Sequence, residues 1–426
     1  MKILNIIIMK PHTNTDRAPA IILGGDTIAL AAARSLGRRG IEVYALDEPA
    51  SYARHSRYCK WIPLKDRDGS GISRPTVWYR WLMEEGVKTL QGAVLIPGSD
   101  HGLEIIGRHY EELKKNYIVT ETDPNVLSSM LDKAKTYELA GKIGILTPKM
   151  WSAHSADDIT RIMDEIPYPC AVKPRHSYKF MEHFPGKKLF VAHNHTEMLE
   201  IINNVKRYNL EVIINEIIPG KEDAYCSYYT YLDEDGKPLF HFTKRKLRQY
   251  PVGFGNGTYH CTDWNPEVAK LGLEFFQKIG YRGLGNVEFK LDARDAKLKL
   301  IECNSRLTLV TELIRQSGLD LPLLLYQRAT KQPPPPLNGY RKELYTVLPV
   351  VDFLAFRELH RRGELSWFQW LRSLRHKFCF LHFAWHDPLP TLVRFYPFVK
   401  KQFRKLGVNL FRRGHTRHDL KPILSK

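Results

Sequence analysis

The sequence predicts an α/β chain of several packed units: a doubly wound opening unit over residues 18–125, an α+β body over 126–330, and a basic, helical C-terminal segment over 337–426. Three observations carry this reading. An apolar strand runs through a Gly-Gly turn into an apolar-periodic helix near the start, and a series of short apolar runs separated by hairpin turns follows. Pro333 to Pro336, which suit neither a helix interior nor a central strand, mark a linker at 331–336 ahead of a sharp rise in basic charge. With 426 residues, 43% of them hydrophobic, the chain exceeds one ordinary core.

In the opening unit, Ala20 to Leu23 reads as a strand, Gly24-Gly25-Asp26 as a turn, and Ile28, Leu30, Ala31, Ala32 and Leu36 as the buried face of a helix that stops at Gly40. Ile41 to Leu46, Val94 to Pro97 and Tyr117 to Val119 supply further strands. The Gly-Gly pair fits two readings equally: a steric need at a tight strand-to-helix turn, or backbone approach to a phosphate. Ser128 to Gly144 returns to helix, and from Pro148 the chain becomes strand-rich. Cys170 to Lys173, Glu211 to Ile218, Ala224 to Leu232, Leu239 to Thr243, Gly285 to Leu291 and Leu298 to Cys303 all read as strands, with Asp233 to Gly236 a hairpin turn between two of them.

The net charge of +18 would suggest a nucleic acid partner if it were spread over the chain. It is not: residues 331–426 hold 19 Lys/Arg against 6 Asp/Glu, a surplus of 13 that leaves only +5 for the rest. No nucleic acid partner is therefore expected. The six cysteines are far apart and form no C-x-x-C pair, which fits reduced thiols in a cytoplasmic protein. Ile3 to Met9 is too short and too quickly followed by Lys10-Pro11 to be a signal peptide, and no apolar run approaches a membrane span.

Chemistry concentrates in Asn286-Val287-Glu288-Phe289-Lys290-Leu291-Asp292 and in the returning run Glu302-Cys303-Asn304-Ser305-Arg306. The two-residue period of a strand puts Asn286 and Glu288 on one face, and Glu302, Asn304 and Arg306 on one face of the partner. Two carboxylates and an amide oxygen suit Mg²⁺, a hard cation commonly shared with substrate phosphates. A guanidinium beyond them can hold a phosphoryl oxygen through its planar fork. A merely solvated hairpin would need neither the asparagine nor the arginine.

These residues resemble the metal-binding signature of the ATP-grasp superfamily, N-x-E followed by E-x-N-x-R, and the resemblance extends over about residues 18–330, closest in pattern to D-aspartate ligase-like carboxylate-amine ligases. It implies an ATP-grasp fold with a pre-ATP-grasp unit at 18–125 and a two-part ATP-binding core at 126–330. By position it implies Glu288, Glu302 and Asn304 as ligands of Mg²⁺ (or Mn²⁺) and Arg306 as a contact to the transferred phosphoryl group. Lys133 and Lys173 resemble contacts to the ATP phosphates, Glu216, Ile217 and Ile218 the hinge around adenine, and Glu222 the acid on the ribose hydroxyls. The implied activity is ATP-dependent activation of a carboxylate as an acyl phosphate and its joining to an amine, an amino acid being one candidate substrate and a cell-wall or surface-polymer precursor another.

Thr243 to Pro251 is a dense basic strand ahead of the glycine-rich run Gly253 to Thr258. Lys244, Arg245 and Arg248 are its candidates for anion contacts, with a surface charge run as the competing reading. Pro174 to Lys188 stands where many ATP-grasp enzymes carry a glycine-rich lid, yet has only Gly186 and is basic and aromatic. Arg175, His176, Ser177 and Lys179 are expected to replace backbone amides there. The rival to an enzyme is a catalytically degenerate nucleotide- or surface-binding module; retention of both Glu288 and Glu302 argues against it.

In the C-terminal segment, Trp367, Trp370 or Leu371, Leu374, Phe378 and Leu381 form one helical stripe, and Leu392, Tyr396, Val399, Phe403 and Leu406 a second. Arg394, Lys400, Lys401, Arg404 and Lys405 lie between the members of the second. The pattern fits either a cover on the core or peripheral contact with an anionic membrane surface.

Overall fold

A computed structural model describes residues 17–48, 50–64, 74–120, 123–152 and 162–394. Strands β1 (Ala20–Leu23), β2 (Val43–Leu46), β3 (Lys60–Trp61) and β4 (Val94–Pro97) form a parallel sheet in the order β3-β2-β1-β4. The order reverses at β1, so the strand ends beside Gly24 and Gly98 make the switch point at which doubly wound sheets bind ligands. Tyr117–Val119 does not become a strand; only Ile118 bridges Val94. At the Gly-Gly turn the steric need is explicit. A Cβ at Gly25 would lie 2.4 Å from the Gly98 carbonyl oxygen, and one at Gly98 would lie 2.2 Å from that of Gly24. The two turns pack backbone to backbone, and the Asp47 carboxylate closes the first by accepting from the Asp26 N–H at 2.7 Å.

The helix Thr27–Gly37 is buried along almost its whole length, which its alanine-rich sequence permits. One side lies on the parallel sheet and the other meets the helices Thr311–Ser317 and Leu321–Ala329, so one core cluster contains Ala20, Ile22 and Leu30 together with Leu313, Leu324, Leu344 and Cys379. The opening unit therefore shares its core with the rest of the chain.

The α+β body is split between two sheets. The smaller is antiparallel, with β5 (Met150–Ser152), β6 (Cys170–Pro174), β7 (Phe190–Ala192) and β8 (Val212–Glu216) in the order β5-β8-β6-β7, covered by the helix His195–Lys206. The larger has seven strands: β9 (Tyr225–Leu232), β10 (Phe242–Tyr250), β11 (Asn256–Asp263), β12 (Gly283–Leu291), β13 (Leu298–Asn304), β14 (Tyr345–Val347) and β15 (Phe378–Cys379), in the order β13-β12-β9-β10-β11-β14-β15. One face of it is closed by the helix Pro266–Lys278 through Val268, Phe275 and Phe276 packing on Tyr228, Val287 and Phe289. The helix expected over 128–144 is two, Pro124–Leu131 and Lys133–Lys142, separated where Asp132 caps the second by accepting from Ala134 N and Lys135 N.

The C-terminal segment departs from its expected helical character. It does hold the helices Pro349–Arg361 and Trp367–Ser373, but β14 and β15 lie in the same segment and extend the large sheet across the proline run. The stripe expected from Trp367 to Leu381 is not one helix, since the helix ends at Ser373 and Phe378–Cys379 is strand. Of the second stripe only Leu392, which is exposed, is described; its members from Tyr396 on lie outside the described residues.

Two buried guanidinium–carboxylate pairs fix this segment. Arg248 on β10 meets Asp352 with two hydrogen bonds, 2.8 and 2.9 Å. Arg34 in the first helix meets Asp387 at 2.9 Å and also donates to the carbonyls of Asp387 and His382, while Ser56 and the Arg57 N–H complete the Asp387 carboxylate. The Arg34 and Asp387 side chains are 3% and 2% exposed. Removing one partner of such a pair strands a buried charge. Asp387→Ala is accordingly expected to cost about 3 kcal/mol, read as a lower urea midpoint; a midpoint equal to the parent's would contradict the role given to this pair.

Candidate active site

The open face of the large sheet carries the candidate site because strand alternation sends polar residues there and apolar ones to the helix side. Glu288 on β12 and Glu302 on β13 are direct cross-strand partners, as are Asn286 and Asn304. Asn304 donates its amide nitrogen to Asn286 Oδ1 at 3.2 Å, and Asn286 donates in turn to the Tyr228 carbonyl at 3.1 Å. This relay fixes the Asn304 amide, whose own oxygen is left as an acceptor beside the two carboxylates.

Lysines from three elements surround the pair. Lys246 on β10 donates to Glu288 at 3.0 Å and lies over the Tyr225 ring, and Lys244 two residues earlier donates to Ser227 at 3.1 Å. Lys133, at the start of its helix, donates to Ser177 Oγ at 2.6 Å and sits 4.0 Å from Glu302. Lys173 is the penultimate residue of β6, and burial pushes its amine down to about 8, with Lys133 adding to the fall and Glu302 and Glu288 opposing it. Burial likewise takes Lys244 to about 8 against the pull of Glu288. For Glu288, burial raises the carboxyl, but Lys246, Lys244 and Lys188 more than offset this and hold it below the usual carboxylate range.

The donor set fits Mg²⁺. It offers two carboxylates and an amide, all hard oxygens, and among the described residues no group of three or more His, Cys, Asp or Glu forms a self-sufficient metal cage. An ion here would depend on ligand oxygens for the rest of its shell, as Mg²⁺ does with substrate phosphates.

Arg306 follows β13 and turns toward the opening unit. Its Nε donates to Asp100 at 2.6 Å and its Nη1 to the Leu307 carbonyl at 3.0 Å. Asp100 begins the helix Asp100–Arg108 just past β4, so this ion pair joins the β12–β13 hairpin to the switch point of the parallel sheet. Burial would raise the Asp100 carboxyl, but Arg306 and Lys133 hold it low.

The segment expected to serve as the adenine hinge runs from β8 to β9. The Glu216 carboxylate is spent on the Lys149 N–H at 3.1 Å and on Arg294, so its side chain anchors the hinge. Ile217 and Ile218 follow, and the Ile218 carbonyl accepts from Lys290 at 2.8 Å. Glu222 accepts from the Gly253 N–H at 3.0 Å; its carboxyl is raised by burial, against which Gln249, Lys246 and Lys290 act.

Two of the expected anion contacts lie elsewhere. Arg245 points to the opposite face of β10, where it pairs with Asp263 at 2.8 Å, because successive strand residues alternate. Arg248 follows a register shift after Lys246 and is consumed by Asp352 and Ser373. In the region expected to act as a lid, Arg175 is held by Asp132 at 2.5 Å and by Glu211.

Lys246, Lys188, His260 and Asp100 are the residues that sequence reading missed. Lys246 was legible, since alternation from Lys244 selects it over Arg245. Lys188 donates to the Gly255 carbonyl at 3.4 Å, and its amine, lowered by burial, feels Glu302 and Glu288. His260 faces Lys246 across β10 and β11; burial and the two lysines keep it neutral.

No family model matches the chain. It is similar to the D-aspartate ligase of Enterococcus faecium, with 26% identity over 318 residues that span 71% of this chain and 74% of that protein. Among solved structures, the biotin carboxylase domain of 2-oxoglutarate carboxylase from Hydrogenobacter thermophilus superposes with a TM-score of 0.59 at 16% identity, covering 77% of this chain and 74% of that one. The L-amino acid ligase from Bacillus licheniformis gives 0.56 at 16% identity, covering 78% and 79%. At such identities the structural likeness establishes the fold.

The two faces of β10 give a direct test. Lys246→Met is expected to lower ATP turnover by roughly a hundredfold through loss of a preorganised cation. Arg245→Ala, on the far face, is expected to stay within about twofold of the parent. Equal losses in the two variants would refute this assignment of faces.

Proposed function

We propose that this chain, a member of the ATP-grasp superfamily and a ligase of the carboxylate-amine class, activates a small carboxylic acid with ATP and joins it to an amine, an amino acid being one of the two substrates. The observation that carries this reading is the cross-strand pair Glu288 and Glu302 with Asn304, set within reach of Lys133, Lys173, Lys188, Lys244 and Lys246. Five amines against two carboxylates leave a positive surplus suited to a polyphosphate.

Glu288, Glu302 and Asn304 would hold Mg²⁺, which supplies charge neutralisation on the β- and γ-phosphates. Lys133 and Lys173 then bind phosphate oxygens, the backbone of Ile217 and Ile218 lies along the adenine, and Glu222 takes the ribose hydroxyls. A substrate carboxylate oxygen attacks the γ-phosphorus and the bond to ADP breaks, giving an acyl phosphate. The amine attacks the acyl carbon, phosphate leaves with the bonding pair, and the amine proton passes to solvent. Lys244, Lys246 and the remaining Nη2 of Arg306 face the oxyanion formed in that second step. Asp100 acts by holding Arg306 in position. Similarity to a D-aspartate ligase supports an amino acid as donor and a cell-wall or surface-polymer precursor as acceptor.

The test is a screen of amino acids for Mg²⁺-dependent ADP release, with hydroxylamine present to trap an acyl phosphate as the hydroxamate. Failure of every carboxylate to yield hydroxamate would remove the activation step. Glu302→Ala is expected to abolish product while leaving the thermal unfolding curve unchanged, since its side chain is 39% exposed; turnover like the parent's would overturn the metal assignment. Lys173→Ala is expected to weaken ATP binding by about tenfold or more, and an unchanged affinity would show that it does not touch phosphate.

A further inference from the structure

The helix Trp367–Ser373 buries none of its residues, although three of its seven side chains are large and apolar and exposed: Trp367 at 50%, Phe368 at 71% and Leu371 at 53%. Val350 and Phe353 of the preceding helix are exposed as well. The Trp367 ring lies 6.3 Å from Phe353 and 4.5 Å from Phe356, so the apolar side chains of both helices form one surface. Arg357 and Arg361 on the first of these helices, Arg372 on the second, and Arg375 and Lys377 just after it are exposed. Nearby acids are Glu358, which is bound to Arg362, and Glu364.

This surface stands on a fixed base. Trp370 donates its indole N–H to Asp352 at 3.0 Å, and Asp352 is held by Arg248 and Thr258 of the large sheet. Exposed aromatics on a fixed base, carried on the same two helices as exposed guanidinium groups, match a layer that is apolar below and negatively charged above. Tryptophan and phenylalanine favour the boundary of a bilayer, and arginines there meet lipid phosphates. No helix among the described residues is long and apolar enough to cross a membrane, so the contact would be peripheral.

We propose that the face formed by Val350, Phe353, Trp367, Phe368 and Leu371, with its flanking arginines, docks the enzyme on the headgroup layer of an anionic bilayer. The docked helix reaches the catalytic face. Glu358, on the helix Pro349–Arg361, accepts from the Val252 N–H at 3.2 Å, next to the Gly253 N–H held by Glu222 and within the loop whose Gly255 carbonyl receives Lys188. Attachment thus orients the glycine-rich loop, and the lysines behind it, relative to the membrane surface.

The experiment is co-sedimentation of the full chain with vesicles of phosphatidylcholine alone and of phosphatidylcholine with phosphatidylglycerol, across a salt series. Binding is expected only to the anionic vesicles and is expected to fall as salt rises. Arg372→Glu with Arg375→Glu is expected to weaken it on the order of a hundredfold. Phe368→Ser with Leu371→Ser is expected to release the protein at lower salt than the parent. Both double variants should keep the parent's unfolding midpoint, which separates lost docking from lost folding. Recovery of the parent in the supernatant with both vesicles would overturn the proposal, and so would anionic binding left unchanged by both variants, since another surface would then carry it. The readout is independent of turnover, so it stands or falls apart from the ligase assignment.

Discussion

The constraint on which this structure depends is charge compensation around one cross-strand carboxylate pair. Glu288 and Glu302 face the same side of the large sheet; Glu288, largely buried, needs cations there, whereas Glu302, 39% exposed, keeps contact with solvent. The cations come from different parts of the chain: Lys133 from the helix that follows the opening unit, Lys173 from β6, Lys188 from the segment leading into β7, and Lys244 and Lys246 from the large sheet. Each unit therefore contributes charge to the one site. The same gathering leaves an excess of positive charge, and an anionic ligand is what such an excess is suited to hold.

A second layer of compensation fixes the frame. Arg248 with Asp352 and Arg34 with Asp387 are buried ion pairs, and each joins residues that lie far apart in sequence. In both cases the carboxylate belongs to the C-terminal segment, so that segment is built into the sheet and the first core. Arg306 with Asp100 plays the corresponding part at the site itself, tying the end of β13 to the opening unit. The body is thus cross-braced by guanidinium groups, which suit buried pairing because their planar fork matches a carboxylate.

Much of the fold was legible where periodicity is strong. The opening strand, its helix and the strands carrying Asn286, Glu288, Glu302 and Asn304 fall where alternation and helical spacing put them, while Arg306 lies past the end of β13. The failures have physical causes. Tyr117–Val119 looked like a strand because apolar runs are ambiguous when short, and β14 and β15 escaped notice because three and two residues carry no period. Arg245 and Arg248 looked equivalent to Lys244 in a basic run, but alternation sent one to the far face and a tertiary carboxylate took the other. Asp100 and Lys188 gave no local signal at all, since what makes them relevant is the position of partners elsewhere in the chain.

The link between Arg34 and Asp387 carries a consequence in time. The two are 353 positions apart. During synthesis at about 5–20 residues per second, roughly 20–70 s pass between the appearance of the arginine and that of its carboxylate. Through that interval the first helix cannot settle against its final neighbours without burying a lone positive charge. The opening unit, although made well ahead of the C-terminal segment, has to wait for it to reach its finished state.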